Sequence, residues 1–199
     1  MKTTDLSADT RKRILDAAWS AVRDRRSSKV SVKEIAEAAG VTRQLVYFHY
    51  GNRAGLLLAM ARHRDEASGF RRRALATRDL APDAALEALL GSWLDYLPEL
   101  LPVARALEAA HLSGDEGGAA WQDRMQELYE ALRFAVERIS KAGGLASPWT
   151  VDAATDWIWA RVQPSAWALL VTERGWRPED FKRRTVDSLL AEILAAERA

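Results

Sequence analysis

Cysteine is absent from the 199 residues, so the sequence offers neither a disulfide nor a thiolate ligand for a metal ion. Histidine is scarce as well, and His49, His63 and His111 stand far apart, without the paired spacing of a metal site. The sequence also lacks a glycine-rich phosphate loop and a convincing pair of nucleophile and base. We therefore expect no enzymatic activity, no bound metal and no cofactor.

Long apolar runs are missing too. No stretch approaches the roughly 18–20 apolar residues that a bilayer-spanning helix needs. The first residues, MKTTDLSADTRKR, lack the apolar stretch of a secretory signal. These absences predict a cytoplasmic protein that has no membrane partner.

The net charge of +1 conceals an uneven distribution. Residues 1–55 carry eleven Lys/Arg and six Asp/Glu, a charge of +5, whereas the remaining residues carry eighteen and twenty-two, a charge of −4. A basic N-terminal part on a slightly acidic body favours an anionic partner for that part. A chance fluctuation of surface charge would explain the same numbers.

Apolar residues recur at helical spacing almost throughout the chain, and the alternating pattern of a strand is scarce, which predicts an all-α fold. Three short, basic helices come first, and longer helices rich in Trp, Leu and Ala follow. This change near residue 52 divides the chain into predicted domains at 1–52 and 53–199. The nine predicted helices span residues 8–24, 32–39, 42–48, 52–78, 82–97, 98–112, 119–142, 148–173 and 178–197.

The second and third predicted helices form a helix-turn-helix pattern. Ser31-Val32-Lys33-Glu34 is a capping box, in which the Ser31 hydroxyl accepts from the Glu34 N–H and the Glu34 carboxylate accepts from the Ser31 N–H. Gly40 permits the left-handed backbone that ends a helix, and Thr42 can cap the next one. Two short helices joined by a tight glycine turn are typical of a DNA-binding unit.

The third predicted helix combines long polar side chains with an apolar seam. In a helix-turn-helix, the start of the second helix enters the DNA major groove, where Arg43 can pair with guanine and Gln44 with adenine. Phosphate contacts, which set the register without reading the sequence, are expected from Lys33, Tyr47, His49 and Arg53. Helix-turn-helix units also occur in proteins that bind no nucleic acid, and Tyr47 taken alone is more often a packing residue.

The stretch VSVKEIAEAAGVTRQLVYFHYGNRAGLL, residues 30–57, resembles the DNA-binding domain of the TetR family of bacterial transcriptional regulators. The preceding TRKRILDAAWSAV fits the same family. The resemblance rests on Ile35-Ala36, on Ala39 to Thr42, on Tyr47, on His49-Tyr50 and on residues 53–57. By this resemblance, Arg43, Gln44, Tyr47, His49 and Arg53 fall on positions that contact DNA. Together with Lys33 and Thr42, they make up the predicted DNA-binding residues.

The third predicted helix also departs from the family pattern. Leu45 replaces a small polar residue, Val46 replaces a leucine, and Phe48 occupies a position that is commonly polar. Asn52 and Arg53 replace the frequent serine and lysine but keep their chemistry. Leu45 can either touch a thymine methyl group or only pack, so the base preference stays open.

The resemblance implies a dimeric transcriptional regulator, and the favoured form is a repressor that a small molecule releases from a palindromic operator. The implied partners are double-stranded DNA, a small-molecule effector and a second copy of the chain. An effector bound between the fifth to eighth predicted helices would tilt the long fourth helix and spoil the spacing of the two recognition helices. The resemblance does not distinguish repression from activation, or a ligand from a protein signal.

Seven of the eight tryptophans lie after residue 90, and several aromatic residues share one face of a predicted helix. An ordinary core is one interpretation, and an apolar pocket is the other. TetR-like proteins generally hold their effector in this region. Aromatic walls would suit a planar apolar compound or an organic cation, with Asp95, Glu108 or Glu130 as counter-charge. The predicted ligand pocket consists of Trp93, Tyr96, Trp121, Met125 and Tyr129.

The last two predicted helices carry broad apolar stripes. Ser147-Pro148 is expected to open the eighth helix as cap and first helical position, and Pro164 is expected to kink it. A four-helix bundle between two subunits would cover both stripes, although they could also be buried within one chain. The predicted dimer interface consists of Trp157, Arg161, Pro164, Trp167, Ala168, Leu190 and Ile193.

The all-helical pattern is also compatible with a different class of function. An all-helical pocket could also belong to a ligand-binding protein or an enzyme that does not bind DNA. Tight binding of a small molecule without any salt-sensitive binding to DNA would favour that alternative.

Overall fold

The computed structural model describes residues 7–195, and over these residues the chain is helical. Apart from one isolated bridge between Leu145 and Leu194, no strand pairing occurs in this range. The all-α prediction is therefore confirmed. The helices are α1 (Ala8–Arg25), α2 (Val32–Ala38), α3 (Arg43–Tyr50), α4 (Arg53–Ser68), α5 (Phe70–Ala76), α6 (Pro82–Leu112), α7 (Gly118–Lys141), α8 (Val151–Arg161), α9 (Pro164–Trp167) and α10 (Pro178–Ile193).

The chain forms two compact units, and neither is continuous in sequence. Unit 1 comprises the chain up to Ala67 together with residues 102–124. Unit 2 comprises residues 68–101 together with the chain from Met125 onward. The boundary predicted at residues 52/53 from the change in composition stays a prediction.

Unit 1 is built around the first three helices. The side chains of Ile14 on α1, Ile35 on α2 and Leu56 on α4 are fully buried, and Val46 is the buried residue of α3. Because the apolar residues face inward, with Val46 doing so on α3, the polar residues of α3 are left on the surface. The short α3 is thus held by tertiary burial rather than by its own length.

The local signals of the helix-turn-helix are present as predicted. The Ser31 hydroxyl accepts from the Glu34 N–H at 3.2 Å, and a Glu34 carboxylate oxygen accepts from the Ser31 N–H at 3.0 Å. Gly40 has a φ of +65°, in the left-handed region. The Thr42 hydroxyl caps α3 by accepting from the Leu45 N–H at 3.2 Å. These features fix where α2 begins, where it ends and where α3 begins.

Three of the helices predicted in the middle of the chain have wrong boundaries. The helix predicted at 52–78 ends at Ser68, because Gly69 adopts a φ of +73° before α5 starts. The helices predicted at 82–97 and 98–112 are one helix, α6, which continues through Pro98 and Pro102. Proline disfavours the helix interior, but apolar side chains that are buried before and after the two prolines stabilise the continuous helix.

The predicted eighth helix, 148–173, is also wrong in its start and its continuity. Thr150 rather than Ser147 is the cap, and α8 begins at Val151. Pro164 does not merely kink the helix, because α8 ends at Arg161 and Pro164 occupies the first position of α9. A proline ring would clash with the carbonyl of residue 160, so a new helix starts there. A π-helical turn, Ala168–Glu173, follows α9.

The C-terminal helix was predicted over 178–197. In the structure α10 ends at Ile193, because Leu194 adopts an extended backbone and bridges to Leu145. Residues 196 and 197 of the prediction lie outside the described residues.

We predict that Ser31→Ala lowers the free energy of unfolding by about 1 kcal/mol, because the Glu34 N–H loses its cap. Urea unfolding followed by circular dichroism measures this change. Ser31→Thr keeps a capping hydroxyl and should lose much less. Equal losses in the two variants would show that the hydroxyl does not act as a cap.

Candidate nucleic-acid interface

The first turns of α3 present polar side chains to solvent. Thr42, Arg43 and Gln44 are exposed, and Tyr47, one turn later, is 41% exposed. The Arg43 guanidinium lies over the Tyr47 ring, 5.7 Å from its centre. The structure therefore brings four of the seven predicted DNA-binding residues onto one exposed helical surface, with Val46 beneath it.

The second half of α3 differs from this pattern. Phe48 is 70% exposed, and its ring meets the His49 ring edge to face at 4.9 Å between centres. His49 Nε2 and the Tyr50 hydroxyl are buried and have no hydrogen-bond partner within the described residues. Burial also raises the pKa of the Tyr50 hydroxyl. The phosphate contact assigned to His49 stays a prediction, and in this conformation Nε2 points inward.

The two predicted phosphate-binding residues outside α3 have contrasting environments. Lys33 is exposed on α2, with its Nζ 3.8 Å from a carboxylate oxygen of Glu37. Arg53, the first residue of α4, has a side chain only 19% exposed. Its Nη2 donates to both carboxylate oxygens of Asp115 at 2.9 Å, so this guanidinium faces an acidic group of its own chain.

The predicted ligand-pocket residues are divided between the units. Trp93 and Tyr96 are buried in unit 2 and form an aromatic cluster with Phe70, whose ring centre lies 5.5 Å from Trp93 and 5.9 Å from Tyr96. The Trp93 indole N–H donates to the carbonyl of Val162 at 2.8 Å, so this buried polar group is satisfied. Trp121 is buried as well, but it belongs to unit 1.

The other two predicted pocket residues lie on α7 beside α8. The Tyr129 hydroxyl donates to Asp156 at 2.9 Å, and this hydrogen bond raises the pKa of Tyr129. The Trp159 indole N–H donates to the carbonyl of Met125 at 3.2 Å. Met125 and Tyr129 therefore share Trp159 as a neighbour, since the Tyr129 and Trp159 ring centres lie 6.3 Å apart.

An open groove of about 480 Å³ lies in unit 2 between α6 and α10. Its lining is rich in charged and small residues, and it contains none of the five predicted pocket residues. Across the groove, Lys182 Nζ pairs with Asp95 at 2.6 Å, so this expected counter-charge for a ligand is already neutralised. Another expected counter-charge, Glu130, is exposed and accepts from Gln126 at 3.1 Å.

The predicted dimer-interface residues fall into two groups. Trp157, Arg161 and Leu190 are at least partly accessible, whereas Pro164, Trp167, Ala168 and Ile193 are buried within the chain. Trp167, for example, packs against Phe181 at 5.3 Å between ring centres. The interpretation that these stripes are buried internally therefore holds for the second group.

A polar network accompanies the accessible group. One Glu192 carboxylate oxygen accepts from the Trp157 indole N–H at 2.7 Å, and the other accepts from Arg161 at 2.9 Å. The hydrogen bond from Arg161, followed by that from Trp157, holds the pKa of Glu192 below its usual value. Leu169 and Trp176 add exposed apolar surface in the same unit, at 55% and 39%.

Two features are absent from the described range of the chain. Residues 7–195 contain no group of three or more acidic or histidine side chains arranged to hold a metal ion. Among these same residues, no helix combines the length and apolarity required to span a membrane.

The helix-turn-helix region matches the family model of bacterial regulatory proteins, tetR family, over residues 14–60. The HTH-type transcriptional repressor LfrR of Mycolicibacterium smegmatis is 37% identical over 130 residues, which cover 65% of this chain and 67% of that protein. The HTH-type transcriptional regulator TtgR of Pseudomonas putida is also 37% identical, over 59 residues that cover 30% of this chain and 28% of TtgR. The match thus spans less than a third of TtgR.

The fold matches solved structures over almost the whole chain. A transcriptional regulator from Saccharomonospora viridis, solved in complex with choline, has a TM-score of 0.75 and 18% identity, covering 96% of this chain and 100% of that one. Its likeness shows the fold alone.

The chain thus combines an all-helical fold with an N-terminal helix-turn-helix that matches this family model. The chain belongs to the TetR family of DNA-binding transcriptional regulators. Members of this family are transcription factors rather than enzymes. The family assignment made from residues 30–57 is confirmed.

Sequence reasoning missed one part of unit 1. Asp115 and Ser28 lie 62 and 25 residues from Arg53, yet both bind it. The sequence signal is the loop Ser113-Gly114-Asp115-Glu116-Gly117-Gly118, which lies between the helices predicted at 98–112 and 119–142. An acidic residue flanked by glycines in such a loop can also approach another backbone closely.

Proposed function

We propose that this chain is a dimeric repressor that reads a pseudo-palindromic operator with α3 and releases it when a small molecule binds. The exposed surface formed by Arg43, Gln44 and Tyr47 above the buried Val46 carries this proposal. It resembles the arrangement in which the start of a recognition helix faces the base edges of a major groove.

Each side chain of this surface has a distinct proposed role. The planar guanidinium of Arg43 suits the O6 and N7 acceptors of guanine, and the amide of Gln44 suits adenine. Thr42 and Tyr47 carry hydroxyls that can reach phosphates, and Lys33 adds a phosphate charge from α2. His49 joins this set only if its ring turns outward from its present position.

Repression is supported by the relative with the longest aligned stretch described above, which is a transcriptional repressor. A repressor blocks transcription by occupying its operator, so its activity is set by DNA affinity. An effector that binds the non-operator conformation more tightly would shift the population away from DNA.

We predict that Arg43→Ala and Gln44→Ala each weaken operator binding by about 1–3 kcal/mol and relax specificity at one base pair. Lys33→Ala should weaken binding to all sequences alike and reduce the slope of log K against log salt by about 1. Operators selected from random duplexes and fluorescence anisotropy at several salt concentrations measure both effects. Lys141→Ala, on unit 2, is the matched cationic control.

If both α3 variants bind the selected operator as tightly as the wild-type protein, α3 is not the reading helix. If no duplex binds with a salt-sensitive affinity while small molecules bind tightly, the chain is a ligand-binding protein instead.

The proposed effector is an apolar or cationic organic compound. The regulator of similar fold from Saccharomonospora viridis holds choline, an organic cation. Aromatic faces attract such cations, and Phe70, Trp93 and Tyr96 form an aromatic cluster in unit 2. Met125 and Tyr129 are proposed to extend this wall, and Trp121 stays a prediction from its position on the same face of α7.

We predict that Tyr96→Leu weakens binding of tetraphenylphosphonium, an aromatic organic cation, by about 3- to 30-fold, because one aromatic face is lost. Isothermal titration calorimetry measures the affinity, with choline as a second probe. Tyr96→Phe keeps the ring and should bind like the wild-type protein. Equal binding by all three proteins would place the effector elsewhere.

In the proposed dimer, the helices α8, α9 and α10 of one subunit pack against the same helices of the other. Trp157, Arg161 and Leu190 are its accessible members of the predicted interface. Leu169, in the π-helical turn after α9, is exposed as well. A two-fold axis would place two α3 helices roughly 34–36 Å apart, one turn of DNA, or more if two dimers share the site.

We predict that Leu169→Arg shifts the protein from dimer to monomer and lowers operator affinity, because a charge would be buried between subunits. Sedimentation velocity measures the oligomeric state. Leu112→Arg, at a side chain that is 81% exposed in unit 1, is the control and should remain dimeric. A Leu169→Arg variant that sediments as a dimer would exclude this face.

A further inference from the structure

The loop between α6 and α7 lies against the turn between α1 and α2 within unit 1. Ser28, in that turn, is 4% exposed. A Cβ added to Gly117 would lie 2.9 Å from the Cβ of Ser28 and 3.2 Å from the Cβ of Ala110. The two segments therefore approach closely, and only glycine fits at position 117 without displacing one of them.

Asp115 is the centre of this contact. Its carboxylate accepts from Arg53 Nη2 on both oxygens at 2.9 Å, from the Gly117 N–H at 2.9 Å and from the Ser28 hydroxyl at 3.3 Å. The Gly117 N–H and the Arg53 guanidinium hold the pKa of Asp115 below its usual value. Four hydrogen bonds to one ionised group, charge-assisted by arginine, make a stronger contact than a solvated ion pair.

Arg53 is occupied by its own chain at all three guanidinium nitrogens. Nη1 donates to the Ser28 carbonyl at 2.5 Å, Nη2 binds Asp115, and Nε lies 3.4 Å from a carboxylate oxygen of Glu116. The side chain is 19% exposed. A DNA phosphate could reach this guanidinium only by displacing acceptors that already satisfy it.

The position of Arg53 gives this network a consequence for α3. Arg53 is the first residue of α4, and only Gly51 and Asn52 separate it from the end of α3. The network, which we call the Arg53 clamp and which comprises Ser28, Arg53, Asp115, Glu116 and Gly117, therefore joins the α3–α4 corner to the α1–α2 turn and the α6–α7 loop. All five residues belong to unit 1.

We infer that Arg53 and Asp115 are positioning residues for DNA binding, which hold α3 at the angle that its side chains need, and that Arg53 is not a phosphate contact. This inference rests on the proposed reading of DNA by α3. It replaces the phosphate role that the sequence suggested for Arg53. Asp115, which repels phosphate by its charge, strengthens DNA binding because it orders the corner.

A double-mutant cycle with Arg53→Met and Asp115→Asn tests the clamp. Each single substitution should weaken operator binding by about 3- to 30-fold. The double variant should bind no worse than the single variant with the lower affinity, because both substitutions remove the same interaction. The salt slope should stay at the wild-type value in all three variants, because no phosphate contact is lost. Fluorescence anisotropy over a series of salt concentrations measures both quantities.

A phosphate contact at Arg53 gives the opposite pattern. Arg53→Met would then lower the salt slope by about 1, as Lys33→Ala is expected to do, and Asp115→Asn would leave binding unchanged or tighten it. Either result would overturn the positioning role. Arg53→Lys, which keeps the charge but loses the fork of donors, should behave like Arg53→Met if the clamp matters and like the wild-type protein if only charge matters.

Urea unfolding tests this inference separately from the proposed function. The four proteins compared are the wild-type protein, Arg53→Met, Asp115→Asn and the double variant. Non-additive losses of stability, together with faster amide hydrogen exchange in residues 27–31 of both single variants, would establish the clamp without any DNA. Additive losses would overturn the clamp itself. If the wild-type protein binds no duplex, the proposed function fails and the positioning role fails with it, whereas the coupling in unfolding still reports on the pair.

Discussion

The burial of Val46 is the constraint on which the reading surface depends. Alone among the eight residues of α3 it is buried, and its inward direction fixes the outward direction of Arg43, Gln44 and Tyr47. A helix of two turns has little stability of its own in water, so its orientation comes from what it packs against. The capping box at Ser31, the left-handed Gly40 and the Thr42 cap determine the register in which Val46 meets that core.

The N-terminal helices could be predicted from the sequence because their signals are local. A capping box, a glycine turn and a threonine cap each act within four residues, so the pattern Ser31 to Glu34 was enough to place the start of α2. The continuous α6 could not be predicted in this way. Pro98 and Pro102 argue locally for a break, and the burial that overrides them depends on residues distant in sequence.

The same distinction between local signals and contacts distant in sequence applies to the candidate site. The exposed residues of α3 follow from helical spacing, whereas Arg53 finds its partners in a turn 25 residues before it and a loop 62 residues after it. Pro164 is a third case. The sequence correctly located the interruption at this residue, but the predicted kind of interruption was wrong. It was expected to kink one long helix, but the loss of a backbone donor and the ring clash separate α8 from α9. The role of the aromatic residues was the hardest to predict, because the same sequence pattern around a tryptophan such as Trp93 occurs in a core and in a pocket.

The segment after α7 ties down the end of α10. The Ala146 N–H donates to the Ile193 carbonyl at 2.9 Å, and the Ala195 N–H donates to the Gly144 carbonyl at 2.8 Å. The Trp149 indole adds a hydrogen bond to the carbonyl of Glu192 at 2.7 Å. A shortened chain that stops before Ile193 would lose two hydrogen bonds of this pairing, because the Ile193 carbonyl and the Ala195 N–H would both be missing. Affinity tags are therefore better attached with a spacer beyond Ala195 than fused directly to α10.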